Sequence, residues 1–360
     1  MYAQRITDEA QLLVVDRQLP ARLAGMAITM TEAVHLVSCE SAAGSIMQAG
    51  APRKNVKILS EELTVGPCDV DPKEHVELRR AWNAEMGDEF LKTFGLDELR
   101  AAVAGDLLVV VWATRAYPDL VWLWWILEGL GRIGPFAQPP LIVRPVPDDP
   151  RETVGGVPPE VSRAAFAGVR AISGAEFLEG AELWRLFASP DPRPFDEARR
   201  QGSPVFLELS DSADLHGAWF PRIEGGRLRL SEHDERLLAS LTDEFLITWD
   251  LNKRISAVSG WERLLWTHGG LVPFWRLRQW AAHGVVAREV GDDDGDSIEA
   301  QRTVFRGTDR ARDLLVNGLE SVGDAPPLYV GGCKLNDPAS PWVRIIDDAG
   351  WTLDIMPRTR

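Results

Sequence analysis

Cysteine is scarce: Cys39, Cys68 and Cys333 are far apart in the chain and no pair forms a CxxC. That excludes a disulfide framework and a zinc ribbon, and it suits a reducing compartment. Positive charge is also in short supply. Against 54 Asp and Glu stand 39 Lys and Arg, a net charge of -15 over 360 residues, which argues against a protein that coats nucleic acid or anionic lipid through its whole surface. Long apolar runs are missing too. The most apolar stretch, 107–130, holds four tryptophans but is interrupted by Arg115, Pro118, Asp119 and Glu128, so it falls short of the roughly 20 residues that span a bilayer. Residues 1–30 carry Arg5, Asp8, Glu9, Asp16 and Arg17 ahead of any apolar run, so no signal peptide is expected and the expected location is the cytoplasm. The six histidines have neither HExxH spacing nor neighbouring cysteines, and no GxSxG elbow is present. No metal is expected, and no cofactor is named by any motif.

What the chain does have, past residue 32, is a regular alternation of apolar runs and helical segments. Residues 33–37 form a short strand ending at Ser38-Cys39-Glu40-Ser41, and a helix over 42–49 stops at Gly50. A second strand lies at 55–59, a charged helical region at 72–105, and a third strand at 107–112, apolar throughout as in sheets buried on both faces. Residues 118–130 are its following helix and 140–144 a fourth strand. The pattern predicts an α/β fold: after an extension at 1–32, a Rossmann-like three-layer domain over 33–150. The Pro-, Asp- and Gly-rich stretch 144–159 is the expected exit linker. Helices at 159–169, 174–188 and 195–202, with a turn at Gly225-Gly226, predict a helical connecting region over 151–229.

From 230 to 360 the order changes. Ser231 is the expected N-cap of a helix, with Asp234 at the capping-box position. Helices at 237–241, 256–268 and 273–283 precede a hairpin pairing 285–290 with 303–305 across the acidic loop 291–299. This order predicts a mainly helical, winged-helix-like domain. A helix at 309–318 and a terminal hairpin built from 328–331, 343–346 and 351–355 complete it.

Three stretches, Val34-His-Leu-Val-Ser-Cys-Glu-Ser41, Leu59-Ser-Glu-Glu-Leu-Thr-Val-Gly66-Pro67 and Leu108-Val-Val-Val-Trp112, resemble a bacterial family catalogued as domain of unknown function 1835. Leu230-Ser-Glu-His-Asp234, Gly331-Gly332 and Trp342-Val-Arg344 resemble the domain catalogued as 3658, which commonly follows it. The resemblance implies the two-part architecture and names no activity. Where that family's first turn reads Gly-Asp-Ser, this chain has Cys39-Glu40-Ser41, keeping the acid and the hydroxyl but not the glycine. After Trp112, acidic and Gln positions of the family are replaced by Ala113-Thr-Arg-Ala-Tyr-Pro-Asp119.

The first strand's exit is the leading candidate for a ligand site. Ligands of open parallel sheets sit beyond the carboxyl ends of strands, where helix N–H groups together with Ser38, Ser41 and Ser45 can cradle a phosphate. The turn has no GxGxxG and no Walker lysine, and Glu40 repels an anion unless a cation intervenes. Gly66 with Arg79 and Arg80 is a second candidate, through close backbone approach and bidentate guanidinium contacts; a turn and a solvated helix face are the plain alternative. Arg115 follows the most buried strand and is the expected charge partner of Glu40 if Glu40 is retained in the pocket; a structural ion pair is the equal alternative. Cys39, near a helix N-terminus, is the one thiol whose position favours a lowered pKa.

In the second half, Lys253, Arg254, Arg263, Arg276, Arg278 and Arg288 stand against a lone Glu262 within 253–288, a locally basic segment that raises nucleic-acid contact. Interleaved tryptophans and the acidic loop argue instead for packing or a protein partner. The leading expectation is a binding or regulatory protein whose first domain takes a small anionic or nucleotide-like ligand and whose second engages a protein. The alternatives are an enzyme acting on a phosphorylated small molecule with Glu40 as acid or base, an acidic toxin-neutralising partner protein, and a winged-helix DNA-binding regulator.

Overall fold

The computed structural model describes residues 28–86, 93–149, 152–247, 250–251, 253–254, 271–292, 299–347 and 350–356. The helix expected over 256–268, most of the acidic loop and the extension before residue 28 lie outside them. The architecture is mixed α/β with parallel strands. Two compact units emerge: one holds the residues up to Leu63, Asp69–Ala188 and Gly202–Leu209, and the other Thr64–Cys68, Ser189–Gln201 and everything from Ser210 onward. Residues 152–188, expected in a connecting region, therefore belong to the first unit.

In the first unit, β1 (Ala33–Val37), β2 (Val56–Ile58), β4 (Leu108–Trp112) and β5 (Leu141–Val143) run parallel in the order β2-β1-β4-β5, and β6 (Arg170–Ala171) pairs antiparallel with β5. Intervening β3 (Gly66–Pro67) belongs to the second unit, described below. Strand side chains alternate between faces. Ala33, Val37, Val110, Trp112, Leu141 and Val143 pack in one cluster with Ala42, Ala43, Ile46 and Phe166. Val34, Leu36, Val109, Val111 and Ile142 must then face the other way, and they are buried as well. Burial on both faces explains why the β4 run shows no polar alternation.

The helices follow from their sequence punctuation. Helix α1 (Glu40–Ala49) ends where Gly50, at φ 129°, donates its N–H to the carbonyls of Ile46 and Met47; that left-handed backbone suits a residue without Cβ. α2 (Pro72–Met86) and α3 (Leu96–Ala102) divide the charged helical region. α4 (Tyr117–Ile133) is buried from Leu120 to Leu130, which leaves Trp122 Nε1 to donate to the Leu59 carbonyl at 2.9 Å. α5 (Pro159–Phe166) packs on α1, and α6 (Gly174–Phe187) packs on α4 at Gly180, where a Cβ would stand 2.4 Å from Leu127 Cδ1. Ser173 and Glu176 form the capping box of α6, and Arg170 holds Glu176 in a fork of 2.6 and 2.7 Å.

The second unit carries more strand than its sequence led us to expect. After α7 (Arg193–Gln201) and α8 (Leu209–Gly217), β7 (Arg222–Glu224) and β8 (Arg227–Arg229) form a hairpin through Gly225 and Gly226, both at positive φ. Helix α9 (Glu232–Ala239), β9 (Leu246–Ile247), α10 (Leu271–Ala282), β10 (Val286–Val290), β11 (Thr303–Gly307) and α11 (Asp309–Asn317) follow. β10 and β11 form the expected hairpin, and β9 joins it in the order β10-β11-β9. β12 (Leu328–Gly331) is not part of the terminal hairpin; it pairs with β13 (Cys333–Leu335) and, in parallel, with β3. The hairpin itself is β14 (Trp342–Asp347) with β15 (Gly350–Ile355), extended by β7 and β8 into four strands. Strands of two or three residues carry too little period-two signal to be seen in a sequence.

Ser231 does cap α9, its Oγ accepting the Asp234 N–H at 3.0 Å. The Asp234 carboxylate does not act as a capping acid. It accepts Arg276 Nε at 2.6 Å, Arg276 Nη2 at 2.7 Å and Trp280 Nε1 at 2.8 Å, tying α9 to α10 in the interior.

Candidate functional site

The order β2-β1-β4-β5 has its switch point between β1 and β4: the chain moves outward from β1 to β2, then returns to the opposite side of β1 for β4. The loops leaving β1 and β4 therefore diverge, and the crevice between their carboxyl ends is where such sheets bind ligands. Ser38 and Thr114 leave these two ends. They meet on Asp119, in the first turn of α4. Asp119 Oδ1 accepts the Ser38 hydroxyl at 3.1 Å; its Oδ2 accepts Thr114 N at 3.0 Å, Thr114 Oγ1 at 2.9 Å and Val154 N at 2.9 Å. Asp119 is fully buried. Burial outweighs these donors and raises its pKa above the ordinary aspartate value. Sequence alone marked Asp119 only as a break in an apolar run; the signal that could have found it is an acid inside an otherwise apolar helix, which needs donors once buried.

The cradle at the start of α1 is largely taken up by the chain itself. Cys39 Sγ accepts the Ala42 N–H at 3.4 Å. The turn Val154–Gly156 lies against the same helix end, so closely that a Cβ on Gly155 would sit 3.1 Å from both Cys39 Sγ and Ser41 Cβ. Ser45 is buried and donates to the Val157 carbonyl at 2.6 Å. Glu40 and Ser41 are exposed at the rim. The thiol of Cys39 is raised by burial, against the lowering its helix position suggested; nearby Asp119 adds to the rise.

The expected site residues do not all come together. Gly66 pairs with Val330 in the second unit, while Arg79 is in the first. Arg79 is buried, its Nε on Glu61 Oε1 at 2.7 Å and its Nη2 on the Glu62 carbonyl at 2.7 Å, with Trp82 beneath the guanidinium. It is therefore an interior ion pair and not a ligand arm. Arg80 is exposed. Arg115 does lie at the carboxyl edge, but there its Nε forms an ion pair with Glu208 Oε1 at 3.0 Å instead of meeting Glu40. Arg144, which follows β5, reaches the same Glu208 Oε1 at 3.5 Å and donates to the Thr114 carbonyl at 3.0 Å. Burial, aided by neighbouring Arg115 although opposed by Glu208, lowers the Arg144 pKa. Arg144 and Glu208 escaped the sequence reading because they are far apart in the chain and carry no motif.

A second constellation surrounds His75. It lines a cleft of about 330 Å³, counting its open mouth, with Asp69, Trp125, Glu128 and Trp184. The Asp69 N–H points to His75 Nδ1 at 3.4 Å, and His75 Nε2 lies 3.8 Å from Glu61 Oε2. Gly129, Gly131 and Gly134 have dinucleotide-motif spacing, but they stand at the end of α4 with no strand before them.

Part of the basic segment of the second unit is neutralised. Arg276 is buried on Asp234, while Arg278 and Arg288 both reach Glu299, at 3.7 Å for Arg278. Lys253 pairs with Asp250 at 3.5 Å. Arg263 lies outside the described residues. Among the described residues no group of three or more His, Cys, Asp and Glu is placed to hold a metal, and no helix is long and apolar enough to cross a membrane. No protein-family model matches the chain, and neither does any curated protein.

Proposed function

We propose that this is a cytoplasmic binding or regulatory protein whose first unit, a Rossmann-like domain of the kind catalogued as 1835, takes a small anionic ligand at the carboxyl edge of its sheet. The observation that carries the reading is the convergence of Arg115 and Arg144 there, two guanidinium groups against one carboxylate in a protein of net charge -15. Fixed arginines beside a switch point suit a phosphate or carboxylate group. The exposed Ser41 at the end of β1 is a rim contact in this reading.

For the second unit the order α9, β9, α10, β10, β11 supports a winged-helix-like layout that engages a protein partner. Arg276 is buried on Asp234, and α10 buries Phe274, Trp275, Leu277 and Trp280, which favours that over phosphate contacts. The test is a thermal-shift screen of the whole chain against nucleotides, sugar phosphates and dicarboxylates. At 100 times its dissociation constant a ligand adds about 2.7 kcal/mol of stability. A shift that disappears in Arg115→Ala supports the reading, and no shift from any anion rejects it.

A further inference from the structure

The carboxyl-edge arginines are held in an unbalanced way. Glu208 offers one oxygen, Oε1, to both Arg115 Nε and Arg144 Nη2. Its other oxygen, Oε2, is buried and has no hydrogen-bond partner among the described residues, and the same holds for Arg144 Nε. A buried donor and a buried acceptor left unmade are costly, and a carboxylate well matched to a guanidinium engages both of its oxygens. The geometry is graded from outside inward: the Arg115 side chain is 56% exposed, that of Arg144 21% and that of Glu208 15%. Glu208 belongs to the first unit and sits between two anchors, the buried Phe206, edge-on to Trp124, and the buried Leu209. Its side chain can swing outward while the segment that carries it stays in place.

We propose that Arg115 and Arg144 form an oxyanion site for a phosphate or carboxylate group, and that Glu208 is a built-in occupant which the incoming anion displaces. The proposal rests on the anion-binding reading above and adds its regulation. With Glu208 seated, the site carries one positive charge in excess; with Glu208 swung out it carries two, and the incoming anion supplies an acceptor for Arg144 Nε. Affinity for the free anion is reduced by the fraction of time Glu208 occupies the site.

The experiment is calorimetric titration of the full chain and of Glu208→Gln with inorganic phosphate and, separately, with succinate, ionic strength being matched with chloride. Glu208→Gln keeps the shape and removes the competing charge. It should bind about tenfold tighter than the parent, and Arg115→Ala added to it should abolish the gain. The stronger of the two titrations tells a phosphate site from a carboxylate site. Equal affinity of parent and Glu208→Gln, with binding still lost in Arg115→Ala, overturns the displaceable occupant and leaves the anion site standing. No heat from either anion with either protein, both folded by circular dichroism, overturns both. If Glu208→Gln does not fold, Glu208→Ala replaces it: it too removes the competing carboxylate, and the same gain is required of it.

Discussion

Replacing Arg79 separates a structural ion pair from a ligand arm. In Arg79→Ala, Glu61 keeps its buried position, its side chain 1% exposed, and loses the guanidinium that stood 2.7 Å away. Removing one partner of such a pair costs about 3–5 kcal/mol, because the remaining charge is stranded in the interior. The loss of the guanidinium at 4.9 Å over Trp82 adds to this. At roughly 2–4 °C per kcal/mol for a body of this size, the melting temperature should fall by about 6–20 °C. The double variant Glu61→Leu with Arg79→Met removes both charges and should recover most of that loss, since well-packed apolar pairs replace buried ion pairs at little cost. The pH dependence gives an independent check. Burial alone would raise the Glu61 pKa, but Arg79 and then His75 outweigh it and hold the carboxyl below its ordinary value. The pair's contribution is therefore present above the unfolded glutamate pKa of about 4.3 and is lost as pH falls through the lowered folded value. Urea melts followed by tryptophan fluorescence from pH 7 down to pH 3 measure both effects. An Arg79→Ala protein as stable as the parent that nonetheless lost affinity for an anion would refute the reasoning and return Arg79 to the ligand site.

Three further outcomes follow from the same geometry. Asp119→Ala leaves Thr114 N, Thr114 Oγ1 and Val154 N without their acceptor and should cost more than about 3 kcal/mol by urea melt, whereas neutral, isosteric Asp119→Asn should cost under about 1 kcal/mol, because Ser38 can turn its hydroxyl to accept. Since the Asp119 pKa is raised, its stabilising share is full below about pH 3.9 and is lost as pH rises through the folded value; a parent and an Asp119→Asn protein with identical pH profiles would contradict this. Gly318 sits at φ 83° with Leu228 O 2.3 Å from where a Cβ would be, so Gly318→Ala should lose about 3 kcal/mol, and a loss below 1 kcal/mol would show that the backbone there moves freely. Cys39, its thiol raised by burial, should react with a disulfide reagent at pH 8 more slowly than a free cysteine; faster labelling would restore it as an activated thiol.

Local sequence was enough to determine the elements with strong periodicity or punctuation. The β1 strand, the α1 helix with its Gly50 stop, the β4 run, the long apolar α4 and the β10–β11 hairpin are all visible in residue pattern, because each needs only neighbours within one helix turn or one strand. Ser231 as an N-cap was visible for the same reason. What the sequence could not show is decided between residues far apart. Asp234 has the spacing of a capping acid, yet charge pairing with Arg276 across 42 positions wins over a cap that water can replace. Arg79 looks like a surface guanidinium on a charged helix until Glu61 is placed beneath it. Gly66 reads as part of the first domain until two residues pair with β12 from the far end of the chain. The candidate site has the same division: local pattern located the carboxyl ends of β1 and β4, while the pairings of Ser38 with Asp119 and of Arg115 and Arg144 with Glu208 join residues 81, 93 and 64 positions apart and exist only in the folded chain. Periodicity records which face of an element meets the core, and it carries no record of which distant charge shares that face.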